Sequence, residues 1–438
     1  MKRLENISEV VETGLCTSCG ACVAVCPQQA VSMDETPSGL LFASVNQMQC
    51  NGCGLCLRIC GGHQLLSDLL PKNDDPFKGH VLEAYCGYSC DPEIRDKGQS
   101  GGVTTAILSF MLESGKIDRA LVTRMPEDGT LRPEPFFAAK KEDLIHCQGS
   151  KYCPTAVVAA MARYGNTCDG KMAIVGLPCQ MHSIRNSQNL ITKWKDNIVL
   201  TIGLFCDRTL AYGAIDFLLK GKANKDDVKI FRYRDKSLGG WPGSVYIQTK
   251  DGQRIYLPSR DRIAIKDFFT PPRCRLCFDK LNILSDISVG DAWGVREDKK
   301  GFSVILARTR ASLELLKEAE RSGYVQLEAI NPEMIYIGQG IETRRKNWTA
   351  YSEAWREMQN NLPNVKIEKK YTAIIDSPDI SMAKKQLAET VKMFKTKKRE
   401  EFLSIVSLKL LMVRLLKKFK RGLLKKLTAF RSFANAKN

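Results

Sequence analysis

Two stretches near the amino terminus, CTSCGACVAVCP over 16–27 and CNGCGLCLRIC over 50–60, share the spacing CxxCxxCxxxC. Three thiolates at two-residue gaps wrap three irons of one cubane, and the displaced fourth reaches the neighbouring cluster of a two-cluster arrangement. That rule gives Cys16, Cys19, Cys22 and Cys60 to one 4Fe-4S cluster, and Cys50, Cys53, Cys56 and Cys26 to the second. Small residues inside the loops (Gly20, Ala21, Gly52, Gly54) let backbone N–H groups approach the cluster sulfurs. A pair of zinc sites is the competing reading, but a repeated triplet with a trailing fourth cysteine favours iron–sulfur chemistry.

A second group of cysteines is scattered. Cys179 stands in VGLPCQ and Cys206 in IGLFCD, each three residues past a Gly that closes a β-rich run, KMAIVG (171–176) and NIVLTIG (197–203). If those strands are parallel neighbours, both thiols emerge at one carboxyl edge, where α/β sheets gather their ligands. The stretch PPRCRLCFDKL (271–281) adds Cys274 and Cys277, completing the four thiolates that one cubane requires. Two plainer alternatives stay open: Cys179 and Cys206 as buried apolar thiols, and the CxxC pair as half of a zinc site. Elsewhere, Ser100, Gly101 and Gly102 in KGQSGGVTTAIL precede a helical pattern. Backbone N–H groups there make an anion site suited to a pyrophosphate, or simply a turn. No GxGxxG follows a strand, so a Rossmann dinucleotide site lacks support. Asp279 reads as the cap of a following helix and His182 as a structural histidine.

These residues need elements to hold them. The chain has 438 residues, of which 44% are hydrophobic, enough for two or three domains with a sizeable core. A Pro, Asp and Lys cluster over 71–80 reads as a linker. After it, β-rich runs ending in Gly (including SDISVG, 285–290) alternate with helical patterns over 102–115 and 154–165. Such alternation implies a mixed α/β sheet with parallel pairs. The organisation expected is therefore an iron–sulfur module over 1–69, a mixed-sheet domain over 80–345 with parts at 80–165 and 166–345, and a helical basic tail over 346–438.

Charge is concentrated in that tail. From Ser381 onward there are 17 Lys and Arg against three acids, a net of +14 out of +18, so the first 380 residues carry only +4. Within 402–433, Leu408, Met412, Leu415, Phe419, Leu423, Leu427 and Phe430 recur at helical spacing. Lys409 and Arg414 break the apolar run below the ~18 residues of a spanning helix. An interfacial helix on an anionic membrane surface is the sharper expectation and docking on a protein the plainer one. Nucleic acid is not expected as a partner, because this face has no Tyr or Trp to stack bases. Residues 1–15 hold no apolar stretch of a secretory signal, and the cysteines cluster as for metal binding. The expected location is the cytoplasm, at most peripheral to the inner face of the membrane.

Residues 10–66 resemble a bacterial-type ferredoxin, with Gly61 after Cys60 where that pattern has proline. The ordered series SGGVTTAIL, QGSKYCPTA (148–156), VGLPCQ, IGLFC, GGWPG (239–243) and CRLCFDKLNILSDISVGDAWG (274–294) resembles the family of coenzyme F-420 hydrogenase/dehydrogenase β subunits over about 80–345. The resemblance implies an FAD-containing iron–sulfur oxidoreductase. It implies that Ser100, Gly101, Gly102, Ser150, Lys151 and Tyr152 contact FAD. It also implies that Cys179, Cys206, Cys274 and Cys277 hold a third 4Fe-4S cluster, with Cys153 and Cys147 as substitutes. Lys151 would then favour reduced flavin, or be a solvated lysine. Asp291 and Trp293 would lie at the site edge, the Trp stacking on the flavin or buried in the core. Electrons would pass between a redox partner such as ferredoxin and an organic substrate or a deazaflavin. A non-catalytic electron-transfer subunit, or a strict F-420 oxidoreductase, is the alternative.

Overall fold

The computed structural model describes residues 6–63, 69, 74–162, 170–358 and 367–412. Its strands in chain order are β1 (Val31–Glu35), β2 (Leu41–Val45), β3 (Glu83–Ser89), β4 (Arg119–Arg124), β5 (Glu134–Ala138), β6 (Met172–Gly176) and β7 (Ile198–Leu204). They continue with β8 (Val228–Asp235), β9 (Ser244–Thr249), β10 (Arg254–Leu257), β11 (Ile287–Asp291), β12 (Ser303–Ala307) and β13 (Val325–Ala329).

The β-rich runs ending in Gly become the middle of an eight-stranded sheet, ordered β13-β3-β12-β11-β7-β6-β4-β5. β4, β6, β7 and β11 are parallel neighbours, flanked by antiparallel strands on both sides. β6 and β12 are buried along their whole length, as unbroken apolar strands must be when both faces are covered. Helices Val103–Glu113 and Arg310–Arg321 pack on one face through Ile107, Phe110, Leu316 and Ala319. On the other face, helix Pro178–Gln188 packs through Met181 and Ile184. The class is mixed α/β, with a smaller antiparallel sheet, β10-β9-β8, beside the large one.

The β1–β2 hairpin belongs to the cysteine-rich amino-terminal region, which is wedged into the rest rather than hung from it. Cys19, Ala21 and Ile59 share one core with Met172 and Ile174 of the large sheet. Val10, Leu15 and Leu57 share another with Trp355 of helix Ile341–Glu357 and Leu387 of helix Ser377–Phe394. The helical pattern over 154–165 is realised differently: Val157–Ala160 is a 3-10 turn, and 163–169 lie outside the described residues. Docking overrides propensity there, since the N–H of Val158 donates to the carbonyl of Cys19 at 2.9 Å.

After helices Ile341–Glu357 and Ser377–Phe394, the tail continues as a helix over 399–412. Phe402, Val406 and Leu410 are buried against the smaller sheet, whereas Leu408 and Met412, placed on the apolar face by spacing, are 61% and 54% exposed. The face that docks is thus turned from the one that spacing selected. The remaining positions of that pattern, Leu415 to Phe430, lie outside the described residues, and no described helix is long and apolar enough to cross a membrane.

Candidate functional site

In each amino-terminal motif the glycine after the second cysteine ends the loop and starts a short helix. Gly20 precedes Ala21–Val25 with φ of 78°, and Gly54 precedes Leu55–Arg58 with φ of 71°, the left-handed conformation that L side chains avoid. The same backbone turn thereby presents the thiols of each motif. The Cys22 thiol feels the charges of Cys19, Cys16 and Cys60, the set expected for the first cluster, and also that of Cys56 from the second. Cys26, Cys50, Cys53 and Cys56, the set expected for the second, line one small cavity.

The scattered cysteines also gather. Cys179 lies in the first turn of helix Pro178–Gln188, just past β6, and Cys206 just past β7. Cys274 sits in the turn Pro272–Arg275. The Cys179 thiol feels Cys206, Cys19, Cys277 and Cys274, and the Cys206 thiol feels Cys274 and Cys277. Burial first, and then repulsion between neighbouring thiolates, raises Cys179 and Cys206 well above the ordinary thiol value and pushes Cys16 up to about 11. Thiols so placed ionise only where a positive charge offsets their own. Arg273, 4% exposed, adds a buried cation whose Nε and Nη1 have no partner, and it favours the Cys277 thiolate. Arg344 does the same for Cys206 and donates to the carbonyl of Cys277 at 3.3 Å. No group of three or more His, Cys, Asp or Glu among the described residues is arranged to hold a metal ion. A cubane takes its thiolates on four separate irons, so convergence on one point is not what it requires.

Ser183 joins the two cysteine regions. Its hydroxyl is 3.4 Å from the Cys19 sulfur, accepts the N–H of Gly61 at 3.0 Å, and lies 3.3 Å from the carbonyl of Cys179. Nothing in its sequence surroundings marked it.

A cavity of about 290 Å³ opens at the carboxyl ends of β6, β7 and β11. Ser100, Gly102, Ser150, Lys151 and Tyr152 line it; Gly101 does not, being packed against the Gly87 carbonyl with its N–H on the Ser303 hydroxyl. Lys151 is part-buried and not free. Its ammonium donates to the carbonyls of Cys147, Gln148 and Gly149 at 2.5, 3.0 and 3.1 Å, and burial draws its pKa down to about 8. Asp291 also lines the cavity, held by Arg234 at 2.5 Å. Arg234, which sequence reasoning missed, donates to the Tyr152 hydroxyl as well, yet its Nη2 is buried without a partner. Gln99 Nε2, Gln148 Oε1 and Thr155 Oγ1 on the same walls are likewise unpaired. Buried polar atoms are normally satisfied, so four on one cavity mark the seat of a polar ligand.

Other expectations resolve at a distance from that cavity. His182 and Asp279 form a buried pair at 2.9 Å, the imidazole stacked on Phe278. Asp279 caps no helix: its carboxylate accepts the N–H of Ile283 in a turn. Trp293 is 37% exposed and packs on Trp241 at 4.1 Å, so it is neither a core residue nor part of the cavity wall. Cys153 is buried against the Tyr233 hydroxyl at 3.1 Å, and Cys147 beside Lys151, both apart from the four gathered thiols.

Fold and sequence together define an iron–sulfur protein. The models of the coenzyme F-420 hydrogenase/dehydrogenase β chain match residues 84–162 with their amino-terminal part and 169–333 with their carboxyl-terminal part, and a 4Fe-4S dicluster domain matches 15–61. The chain belongs to the family of coenzyme F-420 hydrogenase/dehydrogenase β subunits. Among its relatives, an uncharacterised protein of Methanocaldococcus jannaschii is 28% identical over 79% of this chain and 98% of its own. One of the subunits of the F-420H2 dehydrogenase of Methanosarcina mazei is 28% identical over 80% of this chain and 96% of its own. In fold, a chain of the F-420-reducing nickel–iron hydrogenase complex of Methanosarcina barkeri is similar with a TM-score of 0.52 and 23% identity, covering 68% of this chain and 99% of that one.

Proposed function

We propose that this chain is an iron–sulfur flavoprotein oxidoreductase that exchanges electrons between a ferredoxin-type redox partner and an organic substrate or a deazaflavin. One observation carries the flavin reading: the cavity at the strand ends, with four buried unpaired polar atoms and the residues carried over for FAD on its walls. Ser100, Gly102, Ser150, Lys151 and Tyr152 would hold the cofactor, and Arg234 would pair its free Nη2 with a cofactor oxygen. Bound FAD would supply hydride exchange together with release of electrons one at a time. The chain's own work is then to exclude water, to orient Tyr152 and Asp291 through Arg234, and to keep positive charge at the pocket floor.

The cysteine sets Cys16, Cys19, Cys22, Cys60 and Cys50, Cys53, Cys56, Cys26 would each hold a 4Fe-4S cluster. Cys179, Cys206, Cys274 and Cys277 would hold a third. The proximity of Cys19 to Cys179 supports a continuous series of centres. A reducing compartment such as the cytoplasm suits these thiolates. Anaerobic purification with iron and flavin counting is the test: about twelve irons and one FAD per chain are expected, and about eight irons without flavin would leave only an electron carrier.

A second reading concerns 402–433 as a peripheral membrane contact, supported by the exposed Leu408, Leu411 and Met412 that lead into a stretch rich in Lys and Arg. Co-sedimentation with anionic vesicles that survives deletion of 402–438 would end it.

A further inference from the structure

A second cleft is larger than the one at the strand ends. It has a volume of about 1030 Å³ and opens beside Cys274. One wall comes from the loop at Arg208, the end of helix Ser259–Phe269 at Lys266, and the turn at Arg275. The other comes from helices Ile341–Glu357 and Ser377–Phe394 and from the helix over 399–412. That second wall lies beyond residue 333, where the family match ends, so the cleft is a feature of this chain's carboxyl-terminal part.

Its charge is one-sided. Seven Lys and Arg side chains line it against three carboxylates, and those three are already engaged. Asp207 pairs with Arg208 and Arg344, Asp267 with Arg208, and Glu389 with Lys409. Among the described residues no carboxylate pairs with Lys266, Arg275, Lys280 or Lys385. Apolar surface stands at the rim, with Ile337 at 79% exposure and Met412 at 54%. A cluster of cations without carboxylate partners, with an apolar rim and in a cleft at the upper end of the ~300–1,000 Å³ usual for small ligands, fits a macromolecular surface of opposite sign. Residues 413–438 do not meet that need, because they contain nine Lys and Arg and no acid.

We propose that this cleft is the docking surface for an acidic electron-carrier protein, whose redox centre it would bring next to Cys274. The proposal rests on the reading of Cys179, Cys206, Cys274 and Cys277 as a cluster-binding set. It adds a point of entry distinct from the exposed Cys53 of the amino-terminal region. Lys266 and Lys385 steer and hold the carrier, as cations at an interface rim do.

The test uses the full, cofactor-loaded chain and a small acidic two-cluster bacterial ferredoxin. Zero-length carbodiimide coupling joins lysines to carboxylates in contact, and peptide mapping should find Lys266 or Lys385 joined to the carrier. The double reversal Lys266→Glu with Lys385→Glu should weaken binding by roughly ten-fold or more in calorimetry and flatten its salt dependence, with iron and flavin content unchanged. Links confined to lysines outside this cleft, or an unchanged affinity, would overturn the docking surface. So would displacement of bound pyrophosphate by the reversal with the carrier's affinity intact, which would make the cleft a small-anion pocket. An iron count of about eight would instead remove the third cluster and leave the mapped contact to be judged separately.

Discussion

Two cysteine regions of one chain are assembled by opposite routes. In the amino-terminal region each motif spans about a dozen residues, and a left-handed glycine fixes how its thiols are presented. At the strand ends the four thiols come from three separate elements, and the parallel order β6-β7-β11 brings them together. The first arrangement depends on local backbone conformation and the second on tertiary packing. Damage to either should therefore read out differently.

The largest expected effect is at the thiols themselves. Cys274→Ser should remove about four irons while the amino-terminal clusters stay, and Cys16→Ser should cost the first cluster. If Cys274→Ser leaves every iron in place, the strand-end set is a structural group of thiols and the comparison fails. Next in size are the two loop glycines, equivalent in sequence but not in surroundings. An added Cβ at Gly20 would stand 2.7 Å from the Ala159 Cβ and 2.9 Å from that of Ala156, whereas at Gly54 nothing lies within 4 Å. Gly54→Ala should cost about 1–2 kcal/mol for the left-handed backbone alone. Gly20→Ala should add about 1–3 kcal/mol of overpacking where the region docks on the central domain. Denaturant midpoints compared at equal m-values would separate the two.

The smallest effect concerns the tether between regions. Glu35 of β1 pairs with Arg132, and with Arg399 at the start of the terminal helix. Burial works against its carboxylate, but the two guanidiniums outweigh that and lower its pKa below the ordinary 4.5. A carboxylate depressed on folding contributes stability above its unfolded pKa and loses it as pH falls through the folded value. Glu35→Gln should thus destabilise at pH 7, and the gap from the unaltered chain should close as pH drops below the usual glutamate range. A gap that does not vary with pH would mean the tether is steric, not ionic.

The readable parts were those whose cause is close in sequence. The repeated CxxCxxCxxxC stretches named their thiols directly, and β-rich runs ending in Gly marked three parallel neighbours and hence the edge where Cys179 and Cys206 emerge. Roles set by distant partners were not readable. Asp279 looked like a helix cap because its partner His182 is 97 residues away, and a turn follows where a helix was expected. Arg234 sits in FRYRDK with no local signature, since its importance comes from Tyr152 and Asp291 across the cavity. Lys151 could be read as a flavin contact or as a solvated lysine, because a sequence does not show that three carbonyls from its own loop curl back onto its ammonium.

Ser183 carries a consequence for kinetics. A free ferredoxin must find its acceptor by diffusion, so its turnover slows on dilution and with viscosity. Here one hydroxyl contacts Cys19, Gly61 and the Cys179 backbone at once, inside a shared apolar core. The two regions are therefore held at fixed separation, and any electron exchange between them would be a unimolecular event with no encounter step. Its rate should be the same in dilute and concentrated protein.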